Sequence, residues 1–240
     1  MILVLCDEYD LAALWAADRL RQCGSKVEVL TGAELAAVRR WEHRVGRAGV
    51  QLQMQLADGR NIRGDQDTSV LNRLSYLPAA WLRQIGGADR DYALQEMYAF
   101  YLSWLHGLRG HLINPPAPQG LCGNWRHPSA WAALAASVGL PTPPYRQSNS
   151  DDPNACWAHI NHAAAATMFV VDHRIVDPTG LPESLRAPCQ GLAHAAGCRL
   201  LGVDFDWHTD GWHFSGASIM PDLMRGGEPL IEALNEALTS

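Results

Sequence analysis

Lysine is nearly absent from this sequence. Of its 19 basic side chains Lys26 is the only lysine, so a single side-chain ammonium group is available to any binding site. Positive charge is also in deficit, because the formal net charge is -6 at pH 7. Nucleic acids and anionic membranes both reward basic surfaces, so neither is expected as the main partner.

Membrane-length apolar runs and cysteine pairs are missing as well. No uncharged apolar stretch reaches the roughly 18 residues that a membrane span needs. The opening "MILVLCDE" has no basic lead-in and no small-residue cleavage site, which predicts a strand and not a signal peptide. The six cysteines include no C-x-x-C pair, and a chain of 240 residues does not need disulfides to fold. We expect a cytoplasmic protein whose thiols have no chemical role.

Strand and helix signals alternate in the first half of the chain. The apolar run "MILVLC" predicts a strand, the helical spacing in "DLAALWAADRLRQCG" predicts a helix, and "KVEVL" predicts a second strand. Thr31 and Glu34 then have the spacing of a capping box that opens a helix. This order predicts a mainly parallel sheet flanked by helices. Its expected core includes Leu3, Leu5, Val27 and Val29.

Further along, "VQLQMQLADGRNIRG" alternates apolar and polar residues around Asp58-Gly59, which predicts a hairpin. "SVLNRL" predicts another strand, and Asp89 opens a long helix that stops before Gly110. Pro-rich breaks flank a helix that begins near Pro128, and a hairpin follows in "TMFVVDHRIVD". Helices in "PCQGLAHAAG" and "EPLIEALNEAL" enclose a further strand pair. We therefore expect an α/β protein with two domains, residues 1–115 and 116–240.

The order of these elements resembles the ATP-grasp superfamily of carboxylate-amine ligases, particularly its peptide-modifying members. The resemblance is carried by "INPP" before a helix that leads to "GLPTP", and then by "FVVDHRIV", "LLGVDF" and "GASIMPD". It implies a Rossmann-like pre-ATP-grasp domain with a mainly parallel sheet in residues 1–115. Residues 116–240 would be a truncated ATP-grasp-like α+β domain.

The resemblance also implies that part of a metal site has been lost. Active members hold magnesium with an Asp on one strand and with a Glu and an Asn on the next. Asp204 matches the Asp, whereas Gly216 and Ser218 stand at the positions of the Glu and the Asn, and Pro221 matches a proline after them. We expect Asp204 and Pro221 on an antiparallel strand pair, with Gly216 and Ser218 facing the side that carries magnesium in active relatives.

The same resemblance implies that this chain has fewer phosphate-binding groups than active ATP-grasp relatives. Active relatives use two lysines, neither of which Lys26 can match, and Arg126 lies near the first position. The planar fork of arginine does not replace a lysine point charge geometrically. Thr167 stands where relatives have an arginine that contacts phosphate. Only about two dozen residues separate "GLPTPP" from "TMFVVDHRIV", which predicts that the nucleotide lid is deleted.

Histidines and carboxylates raise a separate possibility of a metal site. His159 and His162 form H-x-x-H, and His208 and His213 lie near Asp204, Asp206 and Asp210 in the sequence. Imidazole and carboxylate groups are ordinary zinc ligands if they converge. Nothing in the sequence requires that they do, so we expect structural or surface histidines and no metal.

A binding groove is the last candidate site. Asn72 and Arg73 follow a strand at the carboxyl edge of the predicted sheet, where α/β proteins bind ligands. Arg73 could bind a peptide carboxylate, and a structural salt bridge is an equal alternative. We predict that Arg73, Trp125 and Arg126 border one groove, because arginine and tryptophan are enriched in binding hot spots.

These features lead to three hypotheses about function. The first is a non-catalytic ATP-grasp-like subunit without a cofactor, which binds a peptide or a protein partner such as a catalytic relative. The second is an active ATP-dependent ligase, in which Arg126, Asp204 and Asp222 bind ATP and magnesium. The third is a metal-dependent hydrolase that uses the clustered histidines and aspartates.

Overall fold

The computed structural model describes residues 1–47, 49–65, 67–76, 86–108, 112–145 and 164–240. It divides into two compact units, Met1–Asn124 with Leu234–Ser240, and Trp125–Ala233. The domain boundary between residues 115 and 116 stays a prediction.

Eleven strands and six α-helices occur in the described ranges. In chain order they are β1 (Ile2–Cys6), α1 (Leu11–Gln22), β2 (Val27–Thr31), α2 (Gly32–Ala36), β3 (Arg40–Gly46), β4 (Gly49–Gln55), β5 (Asn61–Gly64), β6 (Ser69–Asn72), α3 (Gly87–Gly107), β7 (Leu112–Ile113), α4 (Pro128–Ser137), β8 (Ala166–Val171), β9 (Arg174–Val176), α5 (Arg186–Ala196), β10 (Leu200–His208), β11 (Gly211–Ser218) and α6 (Gly227–Thr239). None of the helices in these ranges combines the length and apolarity needed to cross a membrane.

A parallel sheet of order β2-β1-β6-β7 forms the centre of the first unit. Every residue of β1 is buried, as expected for an inner strand of a parallel sheet whose two faces are both covered. The predicted parallel sheet is confirmed, with Leu3, Leu5 and Val27 buried. Val29 is only half-buried, because β2 is an edge strand and is less completely covered.

Local capping explains where the first two helices begin. The side chain of Asp10 accepts a hydrogen bond from the backbone N–H of Ala13 (3.0 Å) and so caps α1. The predicted capping box of α2 is present, with Thr31 and Glu34 bonding each other's backbone N–H groups. Both helices follow directly on strands of the parallel sheet, which gives the βα repeat that the sequence predicts.

An antiparallel sheet of order β3-β4-β5 completes the first unit. The predicted hairpin of β4 and β5 is confirmed, and Gly59 in its turn has φ 92°, a conformation that favours glycine. Strand β3 was not predicted, because its sequence "RWEHRVG" is too polar to stand out. α3 begins at Gly87, two residues before the predicted Asp89, and buries Tyr101 and Trp104 in the core.

The second unit contains an antiparallel sheet of order β11-β10-β8-β9. The predicted β8–β9 hairpin is confirmed, and Pro128 occupies the first turn of α4 as expected. Helix α5 ends at Ala196, and the next residue, Gly197, is its C-cap, with a left-handed φ of 71° that suits glycine. These helices supply Trp131, Leu192 and other apolar residues to a core beneath β8 and β10.

Candidate functional site

Strands β10 and β11 place Asp204, Gly216 and Ser218 on one face of the second sheet. In the antiparallel ladder Asp204 lies opposite Gly216, and Gly202 lies opposite Ser218. Neighbours such as Val203 and Ala217 belong to or pack on the core, so the alternating residues face away from it. The predicted strand pair with Gly216 and Ser218 on the face of Asp204 is therefore present.

Pro221 does not lie on this strand pair, and its predicted position was wrong. β11 ends at Ser218, three residues earlier. Proline has no backbone N–H to donate to a strand ladder, so it is disfavoured within such a pair. Its ring instead packs over β10, where a Cβ on Gly202 would lie 2.6 Å from the Cβ of Pro221. Gly202 is thus required for this close contact.

Asp204 is held by its own sheet. Thr167 lies opposite it on β8, and the Thr167 hydroxyl donates a hydrogen bond to Asp204 Oδ1 (2.6 Å). Burial raises the pKa of the Asp204 carboxyl above its ordinary value, while the Thr167 hydrogen bond and the charge of Arg225 act in the opposite direction. One oxygen of the carboxylate is therefore already used within the fold.

A cation from the chain itself stands beside Asp204. Arg225 Nη1 lies 3.9 Å from Asp204 Oδ1, and Arg225 Nη2 donates to the carbonyl oxygen of Ala164 (2.9 Å). Arg225 belongs to a 3-10 turn, Leu223–Gly226. Sequence reasoning missed this residue, because a lone arginine in a short turn carries no motif.

Asp222 caps that turn. Its carboxylate accepts a hydrogen bond from the backbone N–H of Met224 (3.0 Å), as N-cap aspartates commonly do. This capping role explains the position of Asp222 without requiring a bound nucleotide. It was a candidate ligand only under the hypothesis of an active ligase.

Magnesium does not fit the arrangement around Asp204. The ion requires a near-octahedral set of oxygen ligands. In the described part of the site, Asp204 offers a carboxylate that is bonded to Thr167 and faces Arg225, and the hydroxyl of Ser218 accepts from Met220 N (3.1 Å). Gly216 offers no side chain. No step that depends on a bound magnesium ion can be derived from this geometry.

The histidines of the β10–β11 hairpin stack and do not converge on a metal. The rings of His208 and His213 lie 4.7 Å apart, and His213 Nε2 lies 3.0 Å from Asp210 Oδ1. Asp206 accepts from the backbone N–H of Ala165 (3.1 Å). Within the described ranges no group of three His, Cys, Asp or Glu residues could hold a metal. His159 and His162 lie outside those ranges.

Trp125 and Arg126 lie just before α4. Trp125 is 61% exposed, with its ring edge-on to His127. The guanidinium of Arg126 stands over the ring of Trp131, 5.7 Å from its centroid, and Arg126 Nε has no hydrogen-bond partner among the described residues. A cation–π contact with Trp131 therefore positions Arg126, and its place near a phosphate site stays an expectation from the resemblance.

Arg73 and Asn72 are both engaged within the first unit. Arg73 is 5% exposed and binds Asp10 through two hydrogen bonds, Nε to Oδ2 (2.7 Å) and Nη2 to Oδ1 (3.2 Å). Asn72 donates to the carbonyls of Asn114 (3.0 Å) and Leu121 (2.7 Å). Of the two alternatives for Arg73, the structure contains the salt bridge. The groove shared with Trp125 and Arg126 stays a prediction.

Comparison with known proteins identifies the fold. No family model and no curated protein matches this sequence. Solved structures do match over nearly the whole chain, and they include ATP-grasp ligases. The chain has the ATP-grasp fold, which confirms the resemblance and the α/β class expected from the sequence.

Three of these structures show the range of similarity. Macrocyclase MdnC from Microcystis aeruginosa MRC, bound with precursor peptide MdnA, is 12% identical with a TM-score of 0.71, and the match covers 100% of this chain and 99% of that one. A Chryseobacterium gregarium RiPP-associated ATP-grasp ligase with ADP and a leader and core peptide is 11% identical (TM-score 0.68; 98% and 95%). ATP-grasp ligase PsnB with minimal precursor, Mg and ADP is 15% identical (TM-score 0.63; 100% and 98%). At these identities the similarity is one of fold.

Proposed function

We propose that this chain is a non-catalytic ATP-grasp-like subunit that binds a peptide and acts with a catalytic ligase. The observation that carries the proposal is the environment of Asp204. Thr167 donates to its carboxylate and Arg225 stands beside it, whereas the facing strand carries Gly216 where a second carboxylate would be needed. Fold alone does not confer an activity whose site residues are missing.

A peptide is the favoured partner because of what the matched structures contain. MdnC was solved with its precursor peptide, and PsnB and the Chryseobacterium gregarium ligase were each solved with a precursor or with leader and core peptides. Peptide binding is thus compatible with the fold. A chain that keeps the fold while losing the phosphate and metal groups can still supply a peptide-binding surface.

The predicted deletion of the lid supports the same proposal. It concerns the segment between "GLPTPP" and "TMFVVDHRIV", most of which, residues 146–163, lies outside the described residues. Phosphoryl transfer needs groups that position ATP and neutralise its charge. Arg126 stacks over Trp131 and Asp222 caps a turn, so a structural contact already accounts for the position of each side chain.

Reconstitution with a ligase and a short precursor peptide, which we expect to be encoded beside this chain's gene, tests the proposal. The rate of peptide modification is measured with ligase alone, with this chain alone, and with both. We expect no turnover by this chain alone, and a lower KM of the ligase for the peptide when both are present. ATP-dependent modification by this chain alone would establish the active-ligase alternative instead.

Asp204→Asn is the matched variant for that assay. It removes the one metal-type carboxylate of the site while preserving the shape of the side chain. Under the proposal, the variant stimulates the ligase as well as the native chain does. Loss of stimulation, with an unchanged melting temperature, would mean that the Asp204 carboxylate takes part in the reaction.

A further inference from the structure

Two loops meet at the carboxyl edge of the parallel sheet in the first unit. One follows β1 and the other follows β6, and these two inner strands are parallel neighbours. From β1 the chain continues through α1 to β2, which lies beside β1, whereas from β6 it continues through α3 to β7 on the opposite side. The strand order therefore reverses between β1 and β6. In open α/β sheets, ligands bind in the crevice outside the carboxyl ends of the strands at such a switch point.

Both loops carry exposed aromatic or apolar side chains at this edge. Tyr9, in the loop after β1, is 83% exposed, and Leu11, the first residue of α1, is 71% exposed. Tyr76, in the segment after β6, is 52% exposed. A single exposed apolar residue is ordinary, whereas several from neighbouring loops mark an interaction site. Tyrosine suits such a site, because its ring is apolar and its hydroxyl is polar.

Two carboxylates accompany these tyrosines. The Tyr76 hydroxyl donates a hydrogen bond to Asp7, and this bond is the main cause of the raised pKa of Tyr76, to which the charges of Asp7 and Glu8 also contribute. Tyr76 therefore lies close to both carboxylates. None of the ion pairs in the described part of the first unit involves Asp7 or Glu8. The surface between the two loops is consequently acidic as well as aromatic.

Arg73 does not cancel this negative charge. Its guanidinium forms the bidentate ion pair with Asp10, which joins the two loops, and its backbone N–H donates to the carbonyl oxygen of Leu5 (2.7 Å). The charge of Arg73 is therefore balanced by a third carboxylate, and Asp7 and Glu8 set the sign of the surface. Such a surface complements a cationic group, and it does not suit the peptide carboxylate that the sequence suggested for Arg73.

We propose that the β1–β6 surface, formed by Asp7, Glu8, Tyr9, Leu11 and Tyr76, binds an arginine side chain of a peptide. A guanidinium can form two parallel hydrogen bonds with a carboxylate, and it also stacks on the face of a tyrosine ring. The exposed side chain of Leu11 offers an apolar contact to the stem of the arginine or to its neighbour in the peptide. The inference rests on the proposed function only in choosing a peptide as the ligand.

The peptide acetyl-Leu-Arg-Leu-Arg-Leu-amide is the probe. Its matched control has citrulline in place of arginine, because citrulline keeps the planar side chain and lacks the charge. Each peptide is titrated into the full chain labelled with ¹⁵N, and the backbone amide resonances of residues 7–11 and 76 are followed. We expect saturable shifts with the arginine peptide and at least about tenfold weaker binding of the citrulline peptide, since a lost charge-assisted hydrogen bond is worth that factor. Equal affinity for the two peptides, or shifts confined to other residues, would overturn the proposal.

Variants at Asp7 and Tyr9 separate the two kinds of contact. Asp7→Asn removes the charge and keeps an acceptor for the Tyr76 hydroxyl, so the arginine peptide should bind about tenfold more weakly while the melting temperature changes little. Asp67→Asn, at an exposed carboxylate before β6 and so at the other end of that strand, is its control and should leave the affinity unchanged. Tyr9→Ala should weaken binding severalfold, and Tyr9→Phe, which keeps the ring, should not. Unchanged affinity in both Asp7→Asn and Tyr9→Ala would contradict the proposal.

The β1–β6 surface and the proposed function can fail separately. Binding of the arginine peptide that depends on Asp7, without any effect of the chain on a ligase, would support the surface and oppose the proposed function. Stimulation of a ligase that is as strong with Asp7→Asn and Tyr9→Ala as with the native chain would support the proposed function and overturn this surface as its peptide site.

Discussion

Asp204 lies directly opposite Gly216, and a Cβ on Gly216 would have Asp204 Oδ2 as its nearest neighbour at 4.0 Å. The backbone of the strand pair therefore still has room for a side chain at this position. What distinguishes the site from a magnesium site is the chemistry of a few side chains. Arg225 supplies positive charge next to the Asp204 carboxylate.

Restoring two side chains should create a divalent cation site. In the double variant Gly216→Glu and Ser218→Asn, Asp204 gains a second carboxylate and an amide oxygen, which are hard ligands suited to Mg²⁺ and Mn²⁺. We expect Mn²⁺ binding by electron paramagnetic resonance in the double variant and none in the native chain. Adding Arg225→Ala should tighten binding further, because it removes a competing positive charge.

Asp204→Asn in the double-variant background is the control for that experiment. It should abolish the new Mn²⁺ binding, since the site would lose one of its two carboxylates. Tight Mn²⁺ binding by the native chain, lost on Asp204→Asn, would show that the native site already holds a cation.

The Arg73–Asp10 pair is expected to stabilise the first unit. Arg73→Ala would leave the Asp10 carboxylate, whose side chain is 11% exposed, without its bidentate partner, and breaking a buried pair typically costs about 3–5 kcal/mol. Urea unfolding should show a loss of that size. Arg63→Ala, at an exposed position of β5, should change the free energy of unfolding by less than about 0.5 kcal/mol. A fully stable Arg73→Ala variant with weakened peptide binding would instead support the groove predicted from the sequence.

A change at Trp125 tests the groove predicted from the sequence more directly than a change at Arg73 does. Because its side chain is mostly exposed, Trp125→Ala should leave the melting temperature nearly unchanged while weakening the complex with the peptide or ligase partner. Titration calorimetry with the partner identified by reconstitution measures the effect. Trp207→Ala is the matched exposed control. Equal affinities of the native chain and both variants would remove Trp125 from the binding surface.

The raised pKa of Asp204 predicts a pH dependence of stability. The folded state binds the Asp204 proton more tightly than the unfolded state does, so protonation of Asp204 stabilises the fold. This stabilisation is fully present below the ordinary pKa of 3.8. The stabilisation is lost as the pH rises from 3.8 through the raised pKa that Asp204 has in the folded state. The free energy of unfolding of the native chain relative to Asp204→Asn should therefore fall across that interval. A relative stability that rises with pH would mean that the Thr167 hydrogen bond and Arg225 outweigh burial.

Local signals in the sequence predicted much of the fold. The capping box of Thr31 and Glu34, the turn at Gly59 and the proline at the start of α4 each act through their own backbone neighbourhood, and each is present in the structure. Strand β3 was missed because its charged residues mask the alternation. The position of Val29 could not be predicted either, since burial on an edge strand depends on what covers the sheet.

Around Asp204, the sequence allowed predictions only for positions that belong to a recognisable motif. The resemblance implied a strand pair that carries Asp204 and Gly216, and the structure contains that pair. The resemblance singled out Thr167 as standing where relatives have an arginine. Its hydrogen bond to Asp204 could not be predicted, because the two residues are 37 positions apart in the sequence. The contact of Arg225 arises from a turn beyond β11, and sequence spacing gives no measure of such distances.

Titration of the native chain with ATP and magnesium tests the central claim most directly. The calorimeter should record no binding, and the melting temperature should not move, at ATP concentrations that saturate a catalytic ATP-grasp ligase measured in parallel. A ligand at about 100 times its dissociation constant would stabilise the fold by roughly 2.7 kcal/mol, which a thermal shift readily detects. Magnesium-dependent ATP binding that is abolished by Asp204→Asn would contradict the account.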